Sequence, residues 1–470
     1  MDNQLQRKYG LFTAICMVVG IVIGSGVFFK AQTILTKTGG DMPLGILAWI
    51  IGGAIMLVCL LTFSFMGQKY ERVNGLVDYA EATVGPKYGY MVGWFATTIY
   101  YPAMTSALAW LTARYSLVFL TAVGMPLSAG SNPVTGPECM VLALFFMAFS
   151  YAVNALSPKL AGKFQTSTTV IKLIPLGLMA VVGIIYGLVS GQLTNNFVTV
   201  VEMEGVSSSP LFAAVCATAF AYEGWIIATS INSELKDSKK NLPKALILGG
   251  IIIVAVYILY YIGVAGGATN AQLINDGAQV AFVNIFGNVF GNILNLFIAI
   301  SCFGTLNGLM LGTCRGMYSI AARGNGPAPK VFGALDKSTD MPNNSSVFAI
   351  VITGAWLVYF YFANLWSFPV DGVDVSLAGK PFAFDSTELP IITIYLMYLP
   401  ILIQWIRKEK DVGVLRRFIM PILAICGSVF MVIACAITHK TACLWYLIVF
   451  AAVMLVGWLV DASRKQKKAA

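Results

Sequence analysis

The chain has 470 residues, of which 58% are hydrophobic and only 11% charged, and its mean hydropathy is +0.79. A soluble globular protein of this length could not hide that much apolar surface, so the composition points to a polytopic membrane protein. The net charge of +9 requires no nucleic-acid partner, because inner loops facing anionic lipid account for it.

Apolar runs of about 20 residues, long enough to cross a bilayer core as helix, recur along the chain. They place twelve spans at about 11–30, 45–67, 90–121, 139–157, 163–189, 208–232, 244–267, 283–321, 346–363, 387–406, 418–438 and 442–461. No cleavable signal peptide is apparent. The first span contains "GIVIGSGVFF", Gly20 to Phe29, which sets Gly24-Ser25-Gly26 where a helix should be most continuous. Gly20 and Gly24 form a GxxxG pair, so close helix packing is one explanation. In the third span Pro102 is expected to make a kink, and Arg114, near the outer end, to be a snorkelling or interface charge. Lys172 lies about ten residues into the fifth span, roughly 15 Å from its inner end at 1.5 Å per residue. A snorkelling lysine stem falls short of that distance. The sixth span contains "AFAYEGWIIATS", Ala219 to Ser230, with Glu223 and Gly224 near its middle. A carboxylate at that depth is costly and marks a functional candidate.

With the N-terminus in the cytoplasm, 24 of the 30 Lys and Arg residues fall on inner segments, Arg7, Lys8, Lys69 and Arg72 among them. The outer segments hold only Lys30, Lys37, Lys380 and Lys440. This expects both termini in the cytoplasm and a plasma-membrane protein. The nine cysteines show neither metal-ligand spacing nor an extracellular pairing pattern and read as small packing residues. No metal or cofactor is expected. Asn343 and Asn344 sit in sequons, but on the inner side, where glycosylation is not expected. His439, the only histidine, falls near the outer surface, so no histidine relay crosses the membrane.

The first span runs outward and the sixth inward. Two sets of five spans in opposite orientation, each opening with a helix broken at mid-membrane, is the pattern of inverted-repeat transporters. The expected organisation is a cytoplasmic N-terminus (1–10), a first five-helix repeat (11–190) and an inverted repeat (208–407). Two extra helices (416–461) and a basic cytoplasmic tail (462–470) follow. Unwound backbone survives at membrane depth only where it lines a cavity or is buried in protein. The half-helix starting near Val27 would point free N–H groups and a positive dipole end into the gap, suiting a carboxylate. The half-helices ending near Ile23 and Phe220 would point free carbonyls there, suiting an ammonium. An anion pole beside a cation pole fits the α-carboxyl and α-amino groups of an amino acid.

Five stretches in order resemble the amino acid–polyamine–organocation superfamily, and within it the L-type amino acid transporters and their bacterial relatives. They are "GIVIGSGVFF", "YERVNGLVDYAEATVGPKYGYMVGW" (Tyr70 to Trp94) and "TVIKLIP" (Thr169 to Pro175). "FAYEGW" followed by "SELKDSKKNLPKA" (Ser233 to Ala245), and "SCFGTLNG" (Ser301 to Gly308) with "CRGMYSIAARGNGPAP", complete the set. The resemblance covers about residues 8 to 410. It implies an all-α membrane protein with twelve transmembrane helices in the LeuT-like 5+5 inverted-repeat fold, helices 1 and 6 broken, two C-terminal helices added, and alternating access. It implies that Gly24, Ser25 and Gly26 hold the substrate carboxylate. The carbonyls of Val22, Phe220 and Glu223 would hold the ammonium, with Ala221 in the same binding set and Phe220 covering the site from outside. Lys172 would be a fixed cation in the place of sodium, with the Gly24 carbonyl and Thr305 as contacts and Asn307 as the second choice. The family's eukaryotic members join a single-span glycoprotein through a cysteine between the third and fourth helices. Residues 122–138 contain none, so no covalent glycoprotein subunit is expected.

Glu223 leaves three readings open: a structural partner of a buried cation, a group facing the substrate side chain, or a proton carrier. The expected function is sodium-independent exchange of small neutral amino acids. Proton-coupled uptake, or exchange of cationic amino acids or cystine using Glu223, are the alternatives. A channel would want a hydrated pore with repeated filter elements, and a membrane enzyme a cluster of reactive side chains. The sequence has neither, and no phosphate-binding loop for ATP.

Overall fold

The computed structural model describes the chain except for residues 1–9, 71–74, 129–130, 157, 202–207, 229–234, 340, 371–372, 378 and 470. The first helices are α1 (Leu11–Val22), α2 (Gly26–Lys37), α3 (Met42–Lys69), α4 (Leu76–Thr83), α5 (Pro86–Phe95) and α6 (Tyr101–Ala122). Next come α7 (Pro137–Leu156), α8 (Pro158–Leu178), α9 (Ile184–Val189), α10 (Gln192–Val198), α11 (Pro210–Ala221), α12 (Trp225–Ala228) and α13 (Ser238–Gly267). The chain continues through α14 (Asn270–Asp276), α15 (Gln279–Ala322), α16 (Pro329–Phe332), α17 (Asn343–Phe360), α18 (Leu389–Lys408), α19 (Met420–His439) and α20 (Thr441–Ala469). Among the described residues ten helices are long and apolar enough to span a membrane. Leu11–Gly20 and Pro210–Ala221 are shorter apolar helices, the outcome expected where the first and sixth spans break.

Two details depart from the sequence reading and one is added to it. The first apolar segment continues as helix to Lys37, not about residue 30. Its polar residues are accommodated locally: Thr33 and Thr36 donate their hydroxyls to the carbonyls one turn back, at 3.4 and 2.9 Å. The chain is α-helical apart from one short hairpin. Strands β1 (Ser367–Val370) and β2 (Val373–Ser376) form an antiparallel hairpin with Ser367 opposite Ser376 and Val370 opposite Val373. Arg114 is not a snorkelling charge: it is buried, with its guanidinium 5.7 Å from the Trp110 ring and 5.6 Å from the Tyr115 ring. Of the basic residues that set the orientation, Arg7, Lys8 and Arg72 lie outside the described residues. So do the side chains of Lys159, Lys163, Lys239, Arg464, Lys465, Lys467 and Lys468.

The chain forms two compact units, each assembled from three separate stretches. The first comprises Met1–Gly89, Ile174–Gly291 and Ile391–Thr438. Within it α13 packs along α1 and α3, and α11 lies against α2 and α3. Glycines bring the axes close, because apolar helices in lipid associate through packing and not through a hydrophobic force. A Cβ on Gly249 would lie 2.8 Å from the Val18 side chain, and one on Gly53 2.6 Å from Val254. At one end of this unit Glu409, 7% exposed, receives Lys69 as an ion pair and the Tyr70 hydroxyl as a hydrogen bond.

The second unit comprises Tyr90–Leu173, Asn292–Pro390 and His439–Ala470. Here α6 packs against α7 and α17. Pro102 stands at the start of α6. It has no N–H to donate, the chain passes through a π-helical turn at Ala96–Tyr100 just before it, and the freed Thr98 carbonyl accepts the Trp356 indole N–H at 3.0 Å. Helix α20 is held by Tyr90, whose hydroxyl donates to the Gly457 carbonyl, and by Trp94, whose indole donates to that of Val453. His439 pairs with Glu388, Nε2 to Oε2 at 3.1 Å, and the nine cysteines form no disulfide among the described residues.

Candidate functional site

Helix α1 ends at Val22. Ile23 is extended (φ −67, ψ 111), and helix resumes as α2 at Gly26, leaving residues 23–25 outside either helix. Ser25 stands at the N-cap of α2, is 1% exposed, and makes no side-chain cap hydrogen bond. The N-terminus of α2 therefore presents backbone N–H groups with no internal partner, beside three buried residues that carry little side chain. The second break mirrors the first. Helix α11 ends at Ala221, Tyr222 leaves helical geometry, and Gly224 takes a left-handed φ of +98 before α12 begins at Trp225. Only glycine adopts that backbone freely, which explains a glycine directly after Glu223. Residues 229–234 that follow, Ser230 and Ser233 of the motif included, lie outside the described residues.

The two breaks touch. A Cβ on Gly26 would fall 2.6 Å from the Ala221 Cα and 3.1 Å from the Phe220 carbonyl oxygen. One side chain bridges them: the Tyr257 hydroxyl of α13 stands 3.1 Å from the Val22 carbonyl and 3.0 Å from that of Ala221. These are the last residues of the two inbound half-helices, so their carbonyls carry the negative ends of two helix dipoles. A hydroxyl has one proton to give, and two such carbonyls keep acceptor capacity for a further donor. Tyr257 is fixed by a stack on Tyr222 (5.2 Å) and an edge contact with Trp49 (5.4 Å), and Tyr222 donates its hydroxyl to the Trp49 carbonyl at 2.9 Å. Phe220 meets Phe29 edge to face at 6.1 Å. Glu223 is half-buried within the second break, directly before Gly224.

The first unit thus brings together Val22, Gly24, Ser25, Gly26, Phe220, Ala221 and Glu223. Lys172, Thr305 and Asn307 belong to the second. Lys172 is 3% exposed. One turn before it, Thr168 packs on Gly304 of α15, where a Cβ would lie 2.8 Å from the Thr168 Cβ. The Thr305 hydroxyl donates to the Ser301 carbonyl at 3.1 Å, and Asn307 accepts the Asn154 side-chain amide through its side-chain and backbone oxygens at 2.9 and 3.1 Å. Sequence reasoning missed Tyr257 and Trp49. The only signal for the first was a tyrosine hydroxyl in the midst of the apolar "YILYY", Tyr257 to Tyr261.

Two interrupted helices joined at their breaks, in a chain rich in spanning helices, define a membrane transporter of the broken-helix class. The chain belongs to the amino acid permease family, whose profile matches residues 9–460. It is similar to the serine/threonine exchanger SteT of Bacillus subtilis, with 28% identity over 452 residues covering 94% of each chain. It is also similar to the human b(0,+)-type amino acid transporter 1, 26% identical over 95% of this chain and 86% of that one. The mouse large neutral amino acids transporter small subunit 2 is 26% identical over 72% of this chain and 62% of its own length.

Proposed function

We propose that this protein exchanges small neutral amino acids across the plasma membrane by alternating access, independently of sodium, with both termini in the cytoplasm. The observation that carries the reading is the junction of the two breaks. Two helix-end carbonyls, Val22 and Ala221, converge on one hydroxyl beside the open N-terminus of α2. Gly24, Ser25 and Gly26 hold the substrate carboxylate on backbone N–H groups. The carbonyls of Val22, Phe220, Ala221 and Glu223 hold the ammonium. Lys172 supplies a built-in cation where related carriers bind sodium, with Thr305 and Asn307 on the facing helix α15. The similarity to a serine/threonine exchanger favours small neutral side chains. Taking each broken helix as one further span beside the ten long apolar helices supports a count of twelve, with 11–190 and 208–407 as the two inverted repeats. The chain works without a covalently attached glycoprotein, since no cysteine falls in 122–138.

The test is exchange in proteoliposomes of the purified protein. Vesicles preloaded with unlabelled serine, threonine or alanine should take up the labelled amino acid faster than empty ones, and replacing sodium by choline should leave the rate unchanged. Uptake that ignores the internal amino acid and follows an imposed pH gradient would replace exchange with proton coupling.

A further inference from the structure

We infer that the turn joining α18 to α19 binds an anionic phospholipid, with Arg416 and Arg417 as the ligands of its phosphate. Between residues 405 and 419 the chain carries five cations, Arg407, Lys408, Lys410, Arg416 and Arg417, against two carboxylates, Glu409 and Asp411. Glu409 is committed to Lys69 and Tyr70, and Asp411 lies exposed at 4.0 Å from the same lysine. A positive surplus therefore remains on the turn.

The two arginines are held in place. The Trp405 indole donates to the Arg416 carbonyl at 3.1 Å, and Arg417 Nε donates to the Ile406 carbonyl at 3.0 Å. The Arg416 guanidinium lies 5.1 Å from the centre of the Phe65 ring, and that of Arg417 4.7 Å from the Phe418 ring. Such contacts occupy the face of a guanidinium or one of its five N–H donors. The remaining donors suit phosphate oxygens, which arginine takes two at a time. Consecutive Cα atoms are about 3.8 Å apart, so both side chains can reach one headgroup.

The surroundings favour a lipid over a soluble phosphate. Both arginines stand on the π-helical turn Leu415–Ile419, where the apolar span Leu415–His439 begins. Val414, Leu415 and Ile419 are exposed beside them. Fixed positive charge next to bare apolar surface, at the end of a spanning helix, matches a molecule that joins a phosphate to acyl chains. A soluble phosphate would leave the apolar half uncovered.

The test is thermal unfolding of the purified, delipidated protein in detergent, titrated with phosphatidylglycerol, with phosphatidylcholine of the same chains, or with inorganic phosphate. Phosphatidylglycerol should stabilise the wild type at a concentration at least about tenfold below phosphatidylcholine, and inorganic phosphate at matched ionic strength should not stabilise it. Removing both arginines as Arg416→Gln with Arg417→Gln should reduce that ratio to about threefold or less. Lys330→Gln with Lys337→Gln removes the same charge elsewhere and should leave the ratio unchanged. If the double arginine variant does not fold, Arg416→Gln alone, at an exposed position, decides by the same ratio. A wild-type ratio near one overturns the inference, as does a ratio that survives loss of the arginines. An equal fall in the lysine control would show diffuse charge in place of a site, and equal stabilisation by inorganic phosphate would show a soluble anion site. Either result also overturns the inference.

Discussion

Adding a single methyl at Gly26 tests the junction of the two breaks. The new Cβ would lie 2.6 Å from the Ala221 Cα, 3.1 Å from the Phe220 oxygen and 3.3 Å from the Ala221 nitrogen. Carbon atoms rest at about 3.5–4.0 Å, so α2 and α11 must separate by about 1 Å. All three obstructing atoms are backbone, and no rotamer change relieves them. Overpacking of this kind costs about 1–3 kcal/mol. The shift would also stretch the Tyr257 bridge, whose bonds to Val22 and Ala221 already measure 3.1 and 3.0 Å. Gly26→Ala should therefore lose at least about tenfold in exchange, since 1.4 kcal/mol of misfit at the substrate poles suffices for that. The assay is exchange per correctly folded molecule in proteoliposomes, with detergent thermostability measured in parallel. Gly413→Ala is the control, because a Cβ there meets nothing within 4 Å. A Gly26→Ala protein with wild-type stability and exchange would refute both the close junction and its place in the substrate site.

Three further outcomes are expected. Tyr257→Phe removes the donor shared by the Val22 and Ala221 carbonyls, costing about 1–3 kcal/mol in thermal unfolding without substrate. Saturating amino acid should shrink that deficit, because its ammonium supplies new donors, and an equal deficit with and without ligand would place the ammonium elsewhere. Lys172→Ala should still bind substrate in a thermal-shift assay but lose most exchange, and sodium dependence of the wild type would contradict the built-in cation. Burial acts to raise the Glu409 carboxyl, but hydrogen bonds from Lys69 and Tyr70 and the charges of Lys69 and Lys408 outweigh it and hold the group below the ordinary carboxylate range. A depressed native value adds stability above the unfolded pKa of about 4.3, which is lost as pH falls through the lower native value. Glu409→Gln should therefore unfold more easily than wild type at neutral pH, with the gap closing as the pH falls below the unfolded carboxylate value. A gap that widens on acidification would show that Glu409 does not act through its charge.

The sequence by itself carried the class, the recurrence of membrane-length apolar helices and both breaks. Membrane helices must be apolar over a fixed length, and a Gly-Ser-Gly or a Glu-Gly inside such a run has no cheap place in lipid. Backbone conditions of that kind are local, so Gly24 to Gly26 and Glu223-Gly224 could be read from their neighbours. The contacts that build the site were not legible. Tyr257 bridging Val22 and Ala221, Gly26 seated on Ala221, and Lys30 buried against Phe220 each join helices far apart in the chain. Such contacts depend on how each helix is rotated about its axis. A helix apolar on all sides has no polar face to reveal that rotation, and α13, which carries Tyr257, is apolar through nearly its whole length. The burial of Arg114 was settled in the same way. Composition dictates that a chain enters the membrane, but only packing decides which side chains face one another once it is there.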